Sequence, residues 1–130
     1  MIILSIKTDQ PESEFALYDD QTLLADVKYL AHRDLGRTIH LKIQELLSGS
    51  KIDWSDINGI ICFKGPGSFT GLRIGIAVAN SLAYGLEIPI IGAKGESWQR
   101  KAIDKLIKNQ NDEVVLPFYG SEPLITQPKK

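Results

Sequence analysis

Between Ile57 and Gly92 the chain runs from an apolar stretch through a glycine-rich turn and a long helical stretch into a second apolar stretch. No other part constrains the fold as tightly. Ile57 to Phe63 reads as a buried strand, Thr70 to Gly85 as a helix, and Ile88 to Ile91 as the next strand. A strand, a helix and a second strand in that order call for parallel pairing through a right-handed crossover. The sequence before this unit has another character. Ile2 to Ile6, Glu14 to Tyr18 and Leu23 to Tyr29 are short strands joined by polar links, with Asp19-Asp20 as a turn signal, and together they predict an antiparallel meander. A first helix follows, placing Leu35, Ile39, Ile43, Leu46 and Leu47 on one face, with Asp34 as its N-cap and Ser48-Gly49-Ser50 as its end. Asp53 to Asp56 reads as a polar turn, and Ser97 to Lys108 as a third helix. The expected fold is therefore α/β: one mixed sheet, a three-strand meander extended by parallel strands, with flanking helices. Residues 1–116 form the expected lobe and 117–130 an extended tail. Val114 to Phe118 reads as a further strand or a tether.

At 130 residues the chain is large enough to bury one core without staples. A net charge of −1 and a pI near 6.1 lack the basic footprint of an autonomous nucleic-acid binder. No apolar run approaches the ~20 residues of a membrane-spanning helix, and the start, Met1 to Ile6, lacks the basic region of a signal peptide. A single cysteine, Cys62, makes no internal disulfide and fits a reducing cytoplasm.

The turn Gly65-Pro66-Gly67-Ser68-Phe69-Thr70-Gly71-Leu72-Arg73 has the setting of an anion-binding loop, between a strand and a helix N-terminus. It fails the nucleotide motifs. A P-loop needs Gly-Lys-Ser/Thr where the chain reads Gly71-Leu72-Arg73, and the dinucleotide fingerprint needs glycine where Thr70 stands. Ser68 and Thr70 suit helix capping, and Thr70 breaks the Gly-x-Ser-x-Gly of a nucleophile elbow. Cys62 reads as core. His32 and His40 have no companion ligands for a metal and read as surface residues flanking the first helix. Lys64, Arg73 and Lys94 are candidates for a basic rim near the loop, against the plainer reading of charged element ends. No catalytic, metal or cofactor set emerges, although a small-molecule or nucleotide site at Gly65–Gly71 remains an alternative.

Gly71, Gly75, Ala79 and Ala83 recur every four residues and make a ridge of small side chains along the second helix. Two interior glycines cost about 1 kcal/mol each against alanine, so another backbone is expected close to that ridge. One reading packs the ridge on the chain's own sheet. The other uses it against a second chain, because Ile74, Val78 and Leu82 add an apolar row and leave more to bury than one sheet face covers.

The run GPGSFTGLRIG, the alanine-rich helix and the strand IPIIG resemble the TsaB (YeaZ) family, over roughly residues 1 to 116 and most specifically from Lys64 to Gly92. The resemblance implies the first of two lobes of an actin-like, RNase H-like fold. It implies a non-catalytic subunit of the machinery that makes threonylcarbamoyladenosine in transfer RNA. The implied partners are a TsaD-like catalytic subunit in a heterodimer and a TsaE-like ATPase, with tRNA met only through them, no membrane, and a homodimer through the second helix when the chain is alone. Contact is implied through the two helices, at Leu35, Ile39, Ile43 and Leu46 of the first and Gly71, Leu72, Gly75, Ala79 and Leu82 of the second. Enzymes of this superfamily carry an aspartate near the end of the first strand, where this chain has Lys7, which cannot hold Mg²⁺. The catalytic paralogue has a histidine-containing metal motif where this chain reads Gly92-Ala-Lys-Gly-Glu-Ser-Trp98. The lobe is therefore expected not to catalyse alone. A peptidase, after the family's older grouping, is a further alternative with no triad or HExxH set behind it.

Overall fold

A computed structural model describes residues 1–31, 34–67 and 69–119. The meander forms as strands β1 (Ile2–Lys7), β2 (Glu12–Asp19) and β3 (Thr22–Leu30), followed by helix α1 (Leu35–Gly49), strand β4 (Gly59–Phe63), helix α2 (Phe69–Leu86), strand β5 (Ile90–Ala93) and helix α3 (Trp98–Ile107). They build one five-stranded sheet in the order β3-β2-β1-β4-β5, antiparallel on the meander side and parallel across β1, β4 and β5.

The register follows from period-two burial. Leu4, Leu17 and Ala25 align across three strands, as do Ile6, Phe15 and Val27, and both rows face α1 and α2. Ser5, Ala16 and Asp26 align on the other face, with the row Lys7, Glu14, Lys28 beside them. There α3 covers chiefly β4 and β5, through Trp98, Ala102, Ile103 and Leu106. β4 is an inner strand between β1 and β5 with helices on both faces, so all five of its residues are buried, including Gly59, against which Leu106 rests.

Local chemistry moves some expected boundaries. The fifth strand begins at Ile90 rather than Ile88, because the Ile88 N–H closes the end of α2 on the Ala83 carbonyl and Pro89 has no N–H to give. Asp34 precedes α1 without capping it by its side chain; its carboxylate instead accepts from Arg37 at 3.1 Å. The polar turn at Asp53–Asp56 is a 3₁₀ turn closed by a capping box, with Asp53 N–H donating to Asp56 Oδ2 at 2.9 Å.

Beyond α3 the chain returns as a strap. Asp112 N–H donates to the Ile90 carbonyl, and the side chains of Asn111 and Asp112 accept from the N–H groups of Ile90 and Gly92, so side chains cover the outer edge of β5. Asn80 of α2 clamps Val115 from both sides of its backbone, at 2.9 and 3.0 Å, and Val115 is buried against Gly92. The Phe118 N–H reaches the Lys64 carbonyl at 2.7 Å, so Val114 to Phe118 is a tether and the first residues of the expected tail are tied to the lobe. The rest of that tail lies outside the described residues.

Candidate functional site: the glycine loop and the α1–α2 face

The loop between β4 and α2 lies against the β1–β2 turn. An added Cβ on Gly67 would overlap Asp9, and one on Gly65, at φ +121°, would overlap the Phe118 carbonyl and meet Leu72. Asp9 is buried, with Oδ1 held by Lys7 Nζ at 2.7 Å. Lys7 is the last residue of β1, and its ammonium also lies 4.9 Å from the centre of the Phe63 ring. Thr8 is buried too, and its hydroxyl donates to the Gly71 carbonyl at 2.8 Å. The chain itself thus fills the space at Gly65 with the strap and at Gly67 with Asp9, and Thr8 takes up the Gly71 carbonyl.

Of the basic rim, Lys64 and Lys94 follow neighbouring strands, linked by a hydrogen bond from Lys64 N–H to the Ala93 carbonyl. Lys94 Nζ sits 3.7 Å from the centre of the Phe118 ring, a cation–π contact. Arg73 lies on the exposed side of α2, as does Thr70, while Pro66 is exposed in the loop. Ser68 and His32 lie outside the described residues, as does the side chain of Phe69. His40 is exposed on α1. Cys62 is fully buried, and burial pushes its thiol up to about 12. Among the described residues no three His, Cys, Asp or Glu side chains gather as a metal site, and no helix is long and apolar enough to cross a membrane.

The helix faces require a correction. Leu35, Ile39, Ile43 and Leu46 are buried in the chain's own core, as are Leu72, Gly75 and Ala79. The ridge Gly71-Gly75-Ala79-Ala83 faces inward: an added Cβ on Gly75 would overlap the Thr8 hydroxyl. What the small ridge admits is the Thr8 side chain of the β1–β2 turn, not a second backbone, and these seven residues are buried within the chain itself. Of the expected contact set only Leu82 and Gly71 remain partly exposed.

The same helix has another ridge that the sequence reading passed over. Ala77, Ser81 and Gly85 also recur every four residues, and all three are exposed. Ile74, Val78 and Leu82 run beside them, half-buried. Together they form an uncharged stripe at positions i, i+3, i+4, i+7, i+8 and i+11, whose apolar row Ile74, Val78, Leu82 packs in part on the core while Ala77, Ser81 and Gly85 face out. Tyr84, 88% exposed, flanks it. An added Cβ on Gly85 meets nothing within 4 Å, and Gly36 brings α1 against Ile74 with little side chain between them. Solvent-facing helix positions are ordinarily polar. This face instead offers small residues for close approach and apolar knobs to bury.

Comparison with known proteins places this geometry. A family model described as "TsaD: tRNA N6-adenosine threonylcarbamoyltransferase" matches residues 29–94, just over half of the chain. The chain belongs to this family, on its TsaB (YeaZ) side. It is 41% identical over 92 residues to the "tRNA threonylcarbamoyladenosine biosynthesis protein TsaB" of Escherichia coli (strain K12), covering 71% of this chain and 39% of that protein. The protein of the same name from Buchnera aphidicola subsp. Schizaphis graminum (strain Sg) is 34% identical over 125 residues, covering 92% of this chain and 59% of the other. Among solved structures, YeaZ from Pseudomonas aeruginosa superposes with a TM-score of 0.66 at 25% identity, covering 72% of this chain and 43% of that one. The chain therefore spans about two-fifths to three-fifths of the length of these relatives, and the mixed sheet with flanking helices is the fold they share.

Proposed function

We propose that the chain is a non-catalytic member of the tRNA threonylcarbamoyladenosine machinery, and that it docks on a TsaD-like catalytic subunit through the outer face of α1 and α2. The uncharged stripe Ile74, Ala77, Val78, Ser81, Leu82, Gly85 carries this reading, because its exposed small residues Ala77, Ser81 and Gly85 admit a crossing helix beside an apolar row that the chain's own fold covers only in part. The names of the TsaB relatives supply the pathway. In this reading the partner transfers threonylcarbamoyl to adenosine 37 of the tRNA, and a TsaE-like ATPase acts on the same assembly. This chain supplies apolar burial that holds the partner's lobe in place. Without the partner, the same stripe pairs with itself in a homodimer.

Ala77→Arg tests the reading. Ala77 is exposed and Arg is a good helix former, so the fold is retained while a long cation fills the approach path. The expected result is an unchanged melting temperature and loss of co-purification with the TsaD-like subunit. A variant that melts normally and still binds removes α2 from the interface.

A further inference from the structure

The two edges of the sheet are treated differently. The outer edge of β5 is capped by the strap, through Asn111 and Asp112. The outer edge of β3, nine residues long, is paired with nothing among the described residues. Its sequence is Thr22-Leu-Leu-Ala-Asp-Val-Lys-Tyr-Leu30, and Leu30 is 64% exposed. Bare edges of this length recruit further strands.

We infer that a second copy of this chain pairs with the β3 edge, antiparallel and centred on Val27, to make one continuous sheet across a twofold axis. Charge selects the register. With Val27 opposite Val27 of the second copy, Asp26 faces the copy's Lys28 and Lys28 faces the copy's Asp26, so both charged pairs are attractive. Centring on Asp26 or on Lys28 sets like charges opposite each other, and centring on Ala25 sets Asp26 against Leu24. Only the Val27 register satisfies both charges. Bulk is complementary in the same register: Tyr29 of the copy lies opposite Ala25, the smallest residue of the strand, beside an open groove of about 300 Å³ lined by Ala25, Val27, Lys42 and Leu46 that leaves room at the seam. The register shift next to Leu23 bends the strand there, so the straight pairing stretch runs from Ala25 to Leu30. This edge lies beside α1 and away from α2, so the pairing is independent of the stripe proposed above and stands or falls without it.

The test is sedimentation of the whole chain carrying Ala77→Arg, which removes association through α2. Four proteins are compared: that background, Asp26→Lys, Lys28→Asp, and the double exchange. The background is expected to be a dimer. Each single reversal turns two attractive pairs into two repulsive ones and is expected to weaken the dimer about tenfold to a hundredfold. The double exchange is expected to restore it. Melting curves of each variant separate these effects from any cost inside the sheet, where Glu14 faces Lys28. A monomeric background overturns the inference. So do single reversals without effect, or a double exchange that fails to rescue.

Discussion

Gly75→Ala is the sharpest probe of the packing, because two effects of opposite sign meet at one atom. In a helix exposed at that point, alanine would gain up to about 1 kcal/mol over glycine. In this fold the new methyl overlaps the buried Thr8 hydroxyl and crowds Thr8 Cγ2 at 2.9 Å. Overpacking of this kind costs typically 1–3 kcal/mol. Displacing Thr8 also breaks its 2.8 Å bond to the Gly71 carbonyl, worth about 0.5–1.5 kcal/mol. The losses exceed the gain, and the net expectation is destabilisation of about 1–3 kcal/mol, a fall in Tm of roughly 3–12 °C for a domain of this size. Thr8→Ala supplies the control. It removes the obstructing hydroxyl and methyl, so Gly75→Ala should cost much less in that background than in the native chain, and the coupling in a double-mutant cycle should be at least about 1 kcal/mol. Thermal and urea melts of the four proteins measure it. A raised Tm for Gly75→Ala alone, or equal costs in both backgrounds, would refute the inward placement of the ridge.

Further predictions rest on other contacts. Asn80→Ala deprives the Val115 N–H and carbonyl of their partners at once; the expected cost is about 1–3 kcal/mol, with faster amide exchange at Val115 read by hydrogen–deuterium exchange. The Cys62 thiol should be inert to Ellman's reagent in the native chain at pH 8 and react fully in denaturant, since it is fully buried. Burial also raises its folded pKa from the ordinary 9.0 to about 12. The folded chain then holds the proton longer than the unfolded chain does, so this contribution to stability is complete below pH 9 and falls as pH rises toward 12. Cys62→Ala should flatten that part of the stability–pH curve, and an unchanged slope would count against the burial. Ala77→Arg should remove association through α2, read by light scattering as a fall from larger assemblies to the β3-paired dimer, with stability within about 0.5 kcal/mol of native.

The sequence carried the fold well, and for identifiable reasons. Period-two alternation in Glu14–Tyr18 and Leu23–Tyr29 separates two half-buried strands from the apolar run Gly59–Phe63, which is the buried inner strand β4. Asp19-Asp20 marks the meander turn, and Asp20 takes φ 53° there. What periodicity cannot supply is the direction of a face. α2 carries two ridges of small residues with the same spacing, Gly71-Gly75-Ala79-Ala83 and Ala77-Ser81-Gly85, and the one richer in glycine drew attention although it turns inward. The deciding contact is Thr8 against Gly75, between residues 67 positions apart in the chain. α1 misled in a simpler way: an apolar row on a lone helix reads equally as core or as interface, and here Leu35, Ile39, Ile43 and Leu46 serve the core. The strap was half legible. Val114 to Phe118 stood out as apolar, but the amide clamp from Asn80 leaves no local signal.

The most direct test of the central claim is reconstitution of threonylcarbamoyl transfer with a purified TsaD-like subunit from the same source, with threonylcarbamoyladenosine in the tRNA quantified by mass spectrometry. Reactions are run without this chain, with it, and with its Ala77→Arg variant. The native chain is expected to raise the modified nucleoside well above the level without it, and the variant is not. Equal modification in all three reactions, or full support from the variant, would contradict that claim.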